Sequence, residues 1–287
     1  MTRLCAVLIA IILTIVAVWI LMLEDTITYE PASLLRNKSV SVQFLVESSK
    51  FPRIVCQTYK NWHTVPSHVH EQFARFAPGF LRRFYDDRSA AAYINSYYPR
   101  RVQVAYSKLR GAHKADLFRY CYLYREGGVY LDIKTVLHKP LEEIVSLVEK
   151  HNCNMATCLT EPVILFPLSA QVYQGFLIAK PGFALFLECI EYAVQYWWRT
   201  YLDYLNFIRN ITTRLLVANT STLSPGVSNN GDVYFFREIV SYVSCHQNFG
   251  LNMPLLTRSR KTFNCSIIAS PEGDVLMGTR FPDYPWQ

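Results

Sequence analysis

The sequence predicts an α/β domain with a central, mostly parallel sheet, preceded by one N-terminal transmembrane helix. Three observations carry this reading: a long charge-free run at residues 4–23, a short apolar strand at 53–57 with an exit loop running to Pro66, and a helix, Gly-Gly turn and strand in succession across 113–134.

The run LCAVLIAIILTIVAVWILML at 4–23 contains no charged side chain. As a helix it spans the bilayer core of about 30 Å, whereas the apolar segment of a cleaved signal peptide is only about 7–15 residues long. Arg3 precedes the run, and Glu24 and Asp25 follow it. The positive-inside rule therefore makes residues 1–3 a cytosolic tail and the remainder lumenal, a single-pass type II arrangement. Sequons at Asn37, Asn210, Asn219 and Asn264 agree with that side of the membrane. Residues 24–50 are polar and weakly periodic, as in a stem, and 51–287 read as a single folded domain.

Composition narrows the function. A hydrophobic share of 51% is ample for a core. The formal charge of +7 comes without a Lys/Arg run or a nucleic-acid motif, so no nucleic-acid partner is expected and an anionic small molecule remains open. Cys5 lies in the predicted span, leaving Cys56, Cys121, Cys153, Cys158, Cys189, Cys245 and Cys265 in a compartment that permits disulfides. Their odd number leaves at least one thiol unbridged. No CxxC pair or Cys/His cluster has zinc spacing, so no structural metal site is expected.

Along the chain, RIVCQ reads as the first buried strand. FLRRFYDD reads as the second, with Asp86 or Asp87 capping a helix through RSAAAYINSYY. From His113 to Glu126, Leu117, Tyr120, Cys121 and Tyr124 recur at helical spacing, which predicts one buried stripe. Asp116 and Arg119, three residues apart, sit together off that stripe, where a surface ion pair is one reading. Gly127 and Gly128 end the helix. VYLDI then alternates Val129, Leu131 and Ile133 on one face with Tyr130, Asp132 and Lys134 on the other. Ligands of parallel α/β sheets bind beyond the carboxyl ends of strands, which is where Asp132 and Lys134 fall. In the second half, GFLIAKPG is an apolar stretch and FALFLECIEYAVQYWWRTYLDYL a long helix. TLSPGVSNNGD is a loop leading into a helix VYFFREIVSYV, with Asn229, Asn230 and Asp232 as its turn and cap.

PRIVCQTYK, a following VP, PGFLRRFYDD, HKADLFRYCYLYREGGVYLDIKTVLHKPLEEI and FLIAKPG occur in an order that resembles glycosyltransferase family 32, the DXD-motif sugar transferases that include Golgi mannosyltransferases and capsular polysaccharide synthesis proteins. The resemblance covers 52–144 closely and 175–232 loosely. It implies a GT-A-like glycosyltransferase fold, a UDP- or GDP-sugar donor, a glycan or glycolipid acceptor, and transfer with retention. It also implies a Golgi or other secretory-pathway location. Asp116 and Arg119 match the family's Asp-x-x-Arg, at the donor sugar and ribose. Asp132 matches the first DXD aspartate, and Gln57 and Thr58 the residues at the nucleotide end of the first strand. Tyr59 stands where the family often has Trp, a position suited to stacking on the base.

Lys134 departs from the pattern, because it occupies the place of the second, metal-binding DXD carboxylate. Its ammonium could itself stabilise a diphosphate leaving group as a catalytic partner of Asp132, or it could pair with Asp132. The resemblance implies a divalent cation, manganese, held by Asp132 and a C-terminal ligand, for which Asp283 is the candidate beside Trp286. The same departure leaves a second functional reading open, a catalytically inactive relative that binds glycan or a partner enzyme.

Overall fold

The computed structural model describes residues 50–160, 171–197, 225–228, 231–240 and 266–279, all within the compact unit Val42–Gln287. The predicted span at 4–23, the stem up to residue 49, the sequons, Cys5, Cys245, Cys265, Asn229, Asn230, Asp283 and Trp286 lie outside the described residues. Among the described residues no helix is long and apolar enough to cross a membrane.

The chain enters through β1 (Ile54–Thr58), a 3-10 turn (Trp62–Thr64) and α1 (Ser67–Phe76), then β2 (Leu81–Tyr85). Asp86 accepts from the backbone N–H of Ser89 at 2.7 Å, and the Ser89 hydroxyl bonds back to the Asp86 N–H, a reciprocal capping box that starts α2 (Asp87–Tyr97). Next come α3 (Arg100–Lys108), α4 (Ala112–Glu126), β3 (Gly128–Leu131), β4 (Val136–Leu137) and α5 (Leu141–Lys150). The remaining described elements are β5 (Met155–Thr160), β6 (Gln171–Ala179), α6 (Ala184–Tyr196), β7 (Gly226–Val227), β8 (Val233–Val240), β9 (Ser266–Ala269) and β10 (Val275–Gly278).

The strands form one sheet in the order β2-β1-β3-β6-β5-β8-β9-β10-β4, with β7 on β8. Among the described strands, parallel pairing is confined to β1–β2, β1–β3 and β5–β8, and the other pairings are antiparallel. The sheet is therefore mixed rather than mostly parallel. The physical reason is visible at β5 and β6, which only residues 161–170 connect, too few for the crossover of a dozen or more residues that a parallel neighbour needs. The sheet also curls. β4 follows β3 after only residues 132–135, yet it pairs with β10 at the far end of the order, and so short a link reaches at most about 3.6 Å per residue.

Strand alternation divides the core. Cys56, Tyr130, Met155, Leu177 and Phe235 face the layer of α2, α3, α4 and α6, while Val55, Val129, Leu131, Ala156, Ile178 and Tyr234 face α1 and α5. Each fully buried Val, Leu, Ile or Phe contributes roughly 1.5–3 kcal/mol. Helix α4 is buried on every side from Asp116 to Leu123, not along one stripe, because it lies between the sheet and α6. Gly127 and Gly128 join it to β3 at φ of 65° and 89°. A Cβ on Gly127 would lie 2.7 Å from Pro181, and one on Gly128 would lie 2.7 Å from the Ile54 carbonyl, so only glycine lets these backbones meet.

One element differs in kind. VYFFREIV is a strand, β8, not a helix, and Asp232 caps nothing helical. Its carbonyl accepts from the N–H groups of Asn154 and Met155, and its carboxylate from Asn154 Nδ2 at 3.2 Å. A run of Val, Tyr, Phe and Ile suits a strand buried on both faces, as here between β5 and β9.

Candidate active site

At the carboxyl end of β3 the backbone N–H of Asp132 still bonds to the Gly175 carbonyl at 2.8 Å, and the chain then turns, Thr135 N–H returning to the Asp132 carbonyl at 2.9 Å. This turn holds the Asp132 carboxylate beside the Arg119 guanidinium, 3.7 Å from Nη1, and beside Lys134 Nζ at 3.4 Å. From α4, Asp116 reaches Arg119 Nη2 at 2.9 Å. The four side chains thus form a chain of alternating charge, Asp116, Arg119, Asp132, Lys134. Its inner half is buried, with Asp116 1% and Arg119 5% exposed, so the pair is not a surface ion pair. Its outer half opens to solvent, with the side chains of Asp132 and Lys134 exposed to 22% and 28%.

Arg119 is over-determined. It donates to the carbonyls of Gln174 and Ala115, and its guanidinium lies 4.4 Å from the centroid of the Tyr130 ring. Burial opposes its charge, but the face of the Tyr130 ring and the carboxylates of Asp116 and Asp132 outweigh burial and hold the guanidinium's pKa above its ordinary value. Burial likewise pushes the Tyr130 phenol up, so its hydroxyl stays protonated and exchanges a hydrogen bond with the Thr58 hydroxyl at 2.9 Å. His113 flanks the buried end, with Nδ1 3.9 Å from Asp116 Oδ2.

The structure brings Thr58, Asp116, Arg119, Asp132 and Lys134 to one end of the sheet. It sends Gln57 to the other face. Adjacent strand residues point in opposite directions, and Gln57, fully buried, bonds through Oε1 to Arg82 Nε at 2.8 Å under α1. Tyr59 is half-buried on that same side, against Val65, Val69 and Ile133.

Residues of β6 that carry no motif complete the site. Thr157 pairs with Leu177 while Cys158 pairs with Tyr173, so residues 174–176 bulge from the β5 ladder. The bulge aims the Gln174 carbonyl at Arg119, and the Gln174 side chain accepts from the Tyr120 hydroxyl at 3.0 Å. It also lays Gly175 against Asp132, where a Cβ would stand 2.7 Å from Asp132 Oδ2 and 2.4 Å from the Tyr173 hydroxyl. A lone glycine inside an apolar strand was the available signal.

For a divalent cation the described donor set does not fit. Among the described residues no three His, Cys, Asp or Glu side chains gather to hold a metal. Asp132, the expected ligand within them, is bracketed by Arg119 and Lys134. The other expected ligand, Asp283, lies outside the described residues.

Residues 32–150 match the family model described as glycosyltransferase sugar-binding region containing DXD motif. That segment contains Thr58, Asp116, Arg119, Asp132 and Lys134. Among solved structures, PaToxG glycosyltransferase is similar at TM-score 0.42 and 11% identity, over 59% of this chain and 70% of that one. No curated protein matches the sequence. Residues 32–150 of this chain are thus similar to the sugar-binding region of the DXD-motif glycosyltransferases.

Proposed function

We propose that this protein moves a sugar, a hexose, from a UDP- or GDP-sugar to a glycan or glycolipid acceptor with retention at the anomeric carbon. The observation that supports this reading is the charge chain ending on Asp132 and Lys134 at the carboxyl end of β3, inside the matched sugar-binding region. Arg119 and Asp116 form the floor on which the donor sugar and ribose rest. Asp132 and Lys134 are the more accessible charges. As the glycosidic bond breaks, the nucleoside diphosphate gathers negative charge, and Lys134 turns from Asp132 to meet it. Lys134 occupies the place of the second DXD carboxylate, so its ammonium supplies locally part of what a metal supplies elsewhere.

Manganese held by Asp132 together with Asp283 is the competing source of that charge. Turnover of UDP- and GDP-sugars by the full chain, with and without chelator, separates the two. Mild loss with chelator and a slow Lys134→Ala variant assign the charge to Lys134, and near-complete loss with chelator assigns it to the metal. The reading of an inactive glycan- or partner-binding relative draws on the 3.4 Å contact of Lys134 with Asp132, and it requires that no donor be turned over in either condition.

Anchoring through residues 4–23, with the domain in the secretory-pathway lumen, rests on the charge-free run and the placement of Arg3 against Glu24 and Asp25. Protease protection of the domain in sealed microsomes supports it, and digestion without detergent opposes it.

A further inference from the structure

On the sheet face opposite the charge chain, Arg82 of β2 lies between the rings of Trp62 and Phe73, its guanidinium carbon 4.7 Å and 4.3 Å from their centroids. Its Nε donates to Gln57 Oε1 at 2.8 Å, and its Nη1 meets His70 Nδ1 at 2.8 Å. Among the described residues, Nη2 is buried without a hydrogen-bond partner. The same holds for Nε2 of Gln57, whose amide is oriented by Arg82 so that its N–H groups, not its carbonyl, are left over. Two linked residues thus present buried donors with no acceptor, and polar groups left so are rare because each forfeits its bonds to water. The charge is also uncompensated. No carboxylate pairs with Arg82 among the described residues, burial alone acts on it and lowers its pKa, and the neighbouring His70 is held toward its neutral form by burial and by Arg82. Trp62 covers Arg82 from the solvent side; it is 39% exposed and rests on His70 and Phe84 with centroids 4.2 Å and 4.8 Å away.

We propose that these two donors bind an anion with two oxygens on one centre, a carboxylate or a phosphate, whose oxygens accept from Arg82 Nη2 and Gln57 Nε2 while Trp62 swings aside to admit it. The matching elements are the remaining nitrogen of a charged guanidinium, a charge-assisted donor to an anion, an adjoining amide, and an aromatic cover set on a short 3-10 turn rather than on a long helix. The site is separate from glycosyl transfer and stands or falls without it. It lies one residue from Thr58 along β1, which gives it a direct link to the donor face.

The test uses the full chain, with inorganic phosphate and acetate as separate probes, reading the thermal midpoint and tryptophan fluorescence. A saturable rise in midpoint with either probe is expected, phosphate alone marking a phosphoryl ligand and acetate a carboxylate. Gln57→Glu places a carboxylate against the Arg82 edge, so this variant is expected to melt higher than wild type without anion and to respond at least tenfold more weakly to it. Trp62→Phe is expected to keep the midpoint shift and lose the fluorescence change. Lys134→Ala is expected to keep both. No saturable response in wild type, as when only water meets the two donors, overturns the proposal. So does an undiminished response in Gln57→Glu, a lower midpoint of that variant without anion, or loss of the response in Lys134→Ala.

Discussion

Arg119→Ala gives the sharpest test of the buried half of the site. The substitution removes the guanidinium 2.9 Å from Asp116 and leaves that carboxylate 1% exposed in the core. Breaking a buried ion pair from one side costs about 3–5 kcal/mol, against roughly 0–1 kcal/mol for an exposed pair. For a domain of this size each kcal/mol lowers the melting temperature by about 2–4 °C, so a fall of roughly 6–20 °C is expected. Removing both charges while keeping their volume, in Asp116→Asn/Arg119→Met, is expected to be milder than Arg119→Met alone by roughly 1–3 kcal/mol, since no carboxylate is then left buried. Recovery stays partial because Arg119 also serves the Gln174 carbonyl and the Tyr130 ring. Urea unfolding of the three variants and the wild type measures each difference. A loss below about 1 kcal/mol in Arg119→Ala, the range of exposed pairs, refutes the reasoning, as does a double variant no better than its single parent.

Gly175→Ala is expected to cost about 1–3 kcal/mol of stability by overpacking and to cut turnover at least tenfold, because its methyl displaces the Asp132 carboxylate. Unchanged turnover and melting temperature would show that the bulge does not set the position of Asp132. At the start of the domain, Arg53 bonds Glu149 and Glu142, and these bonds hold both glutamates below their ordinary pKa. A depressed folded pKa means stability that is present above the unfolded value, about 4.3, and is lost as pH falls through the folded value. Glu149→Gln should therefore lower the urea midpoint at pH 7 and flatten its decline toward pH 3. Parallel wild-type and variant curves would remove Glu149 from the acid response.

Much of the first half was legible because local chemistry decides it. The Asp86 cap, the Gly127–Gly128 turn and the alternation through β3 each follow from residue type and period, and each is present. β8 was misread because Val233, Phe236 and Val240 fit helical spacing while the whole run is apolar, and periodicity cannot separate a doubly buried strand from a buried helix. Sheet direction depends on which strands a connection lets meet, so the antiparallel placement of β6 beside β3 and β5 left no mark in any single segment. The motif pattern names Asp116, Arg119, Asp132 and Lys134, which lie side by side, but groups Gln57 with Thr58, although a period of two already sends them to opposite faces. Gln174 was invisible because its contribution to Arg119 is a backbone carbonyl.

The central claim is that Asp132 belongs to a nucleotide-sugar site, and release of nucleoside diphosphate measures this most directly. Wild-type full chain and Asp132→Asn are compared across UDP- and GDP-sugars, with circular dichroism and melting temperature showing that the variant is folded. Asp132 is partly exposed at a strand end, so its isosteric replacement should spare the fold. The account predicts release from at least one donor by the wild type and a loss on the order of a hundredfold or more in the variant, about 2.7 kcal/mol of transition-state stabilisation. Equal release by a folded Asp132→Asn, or no release from any donor by the wild type, would contradict it.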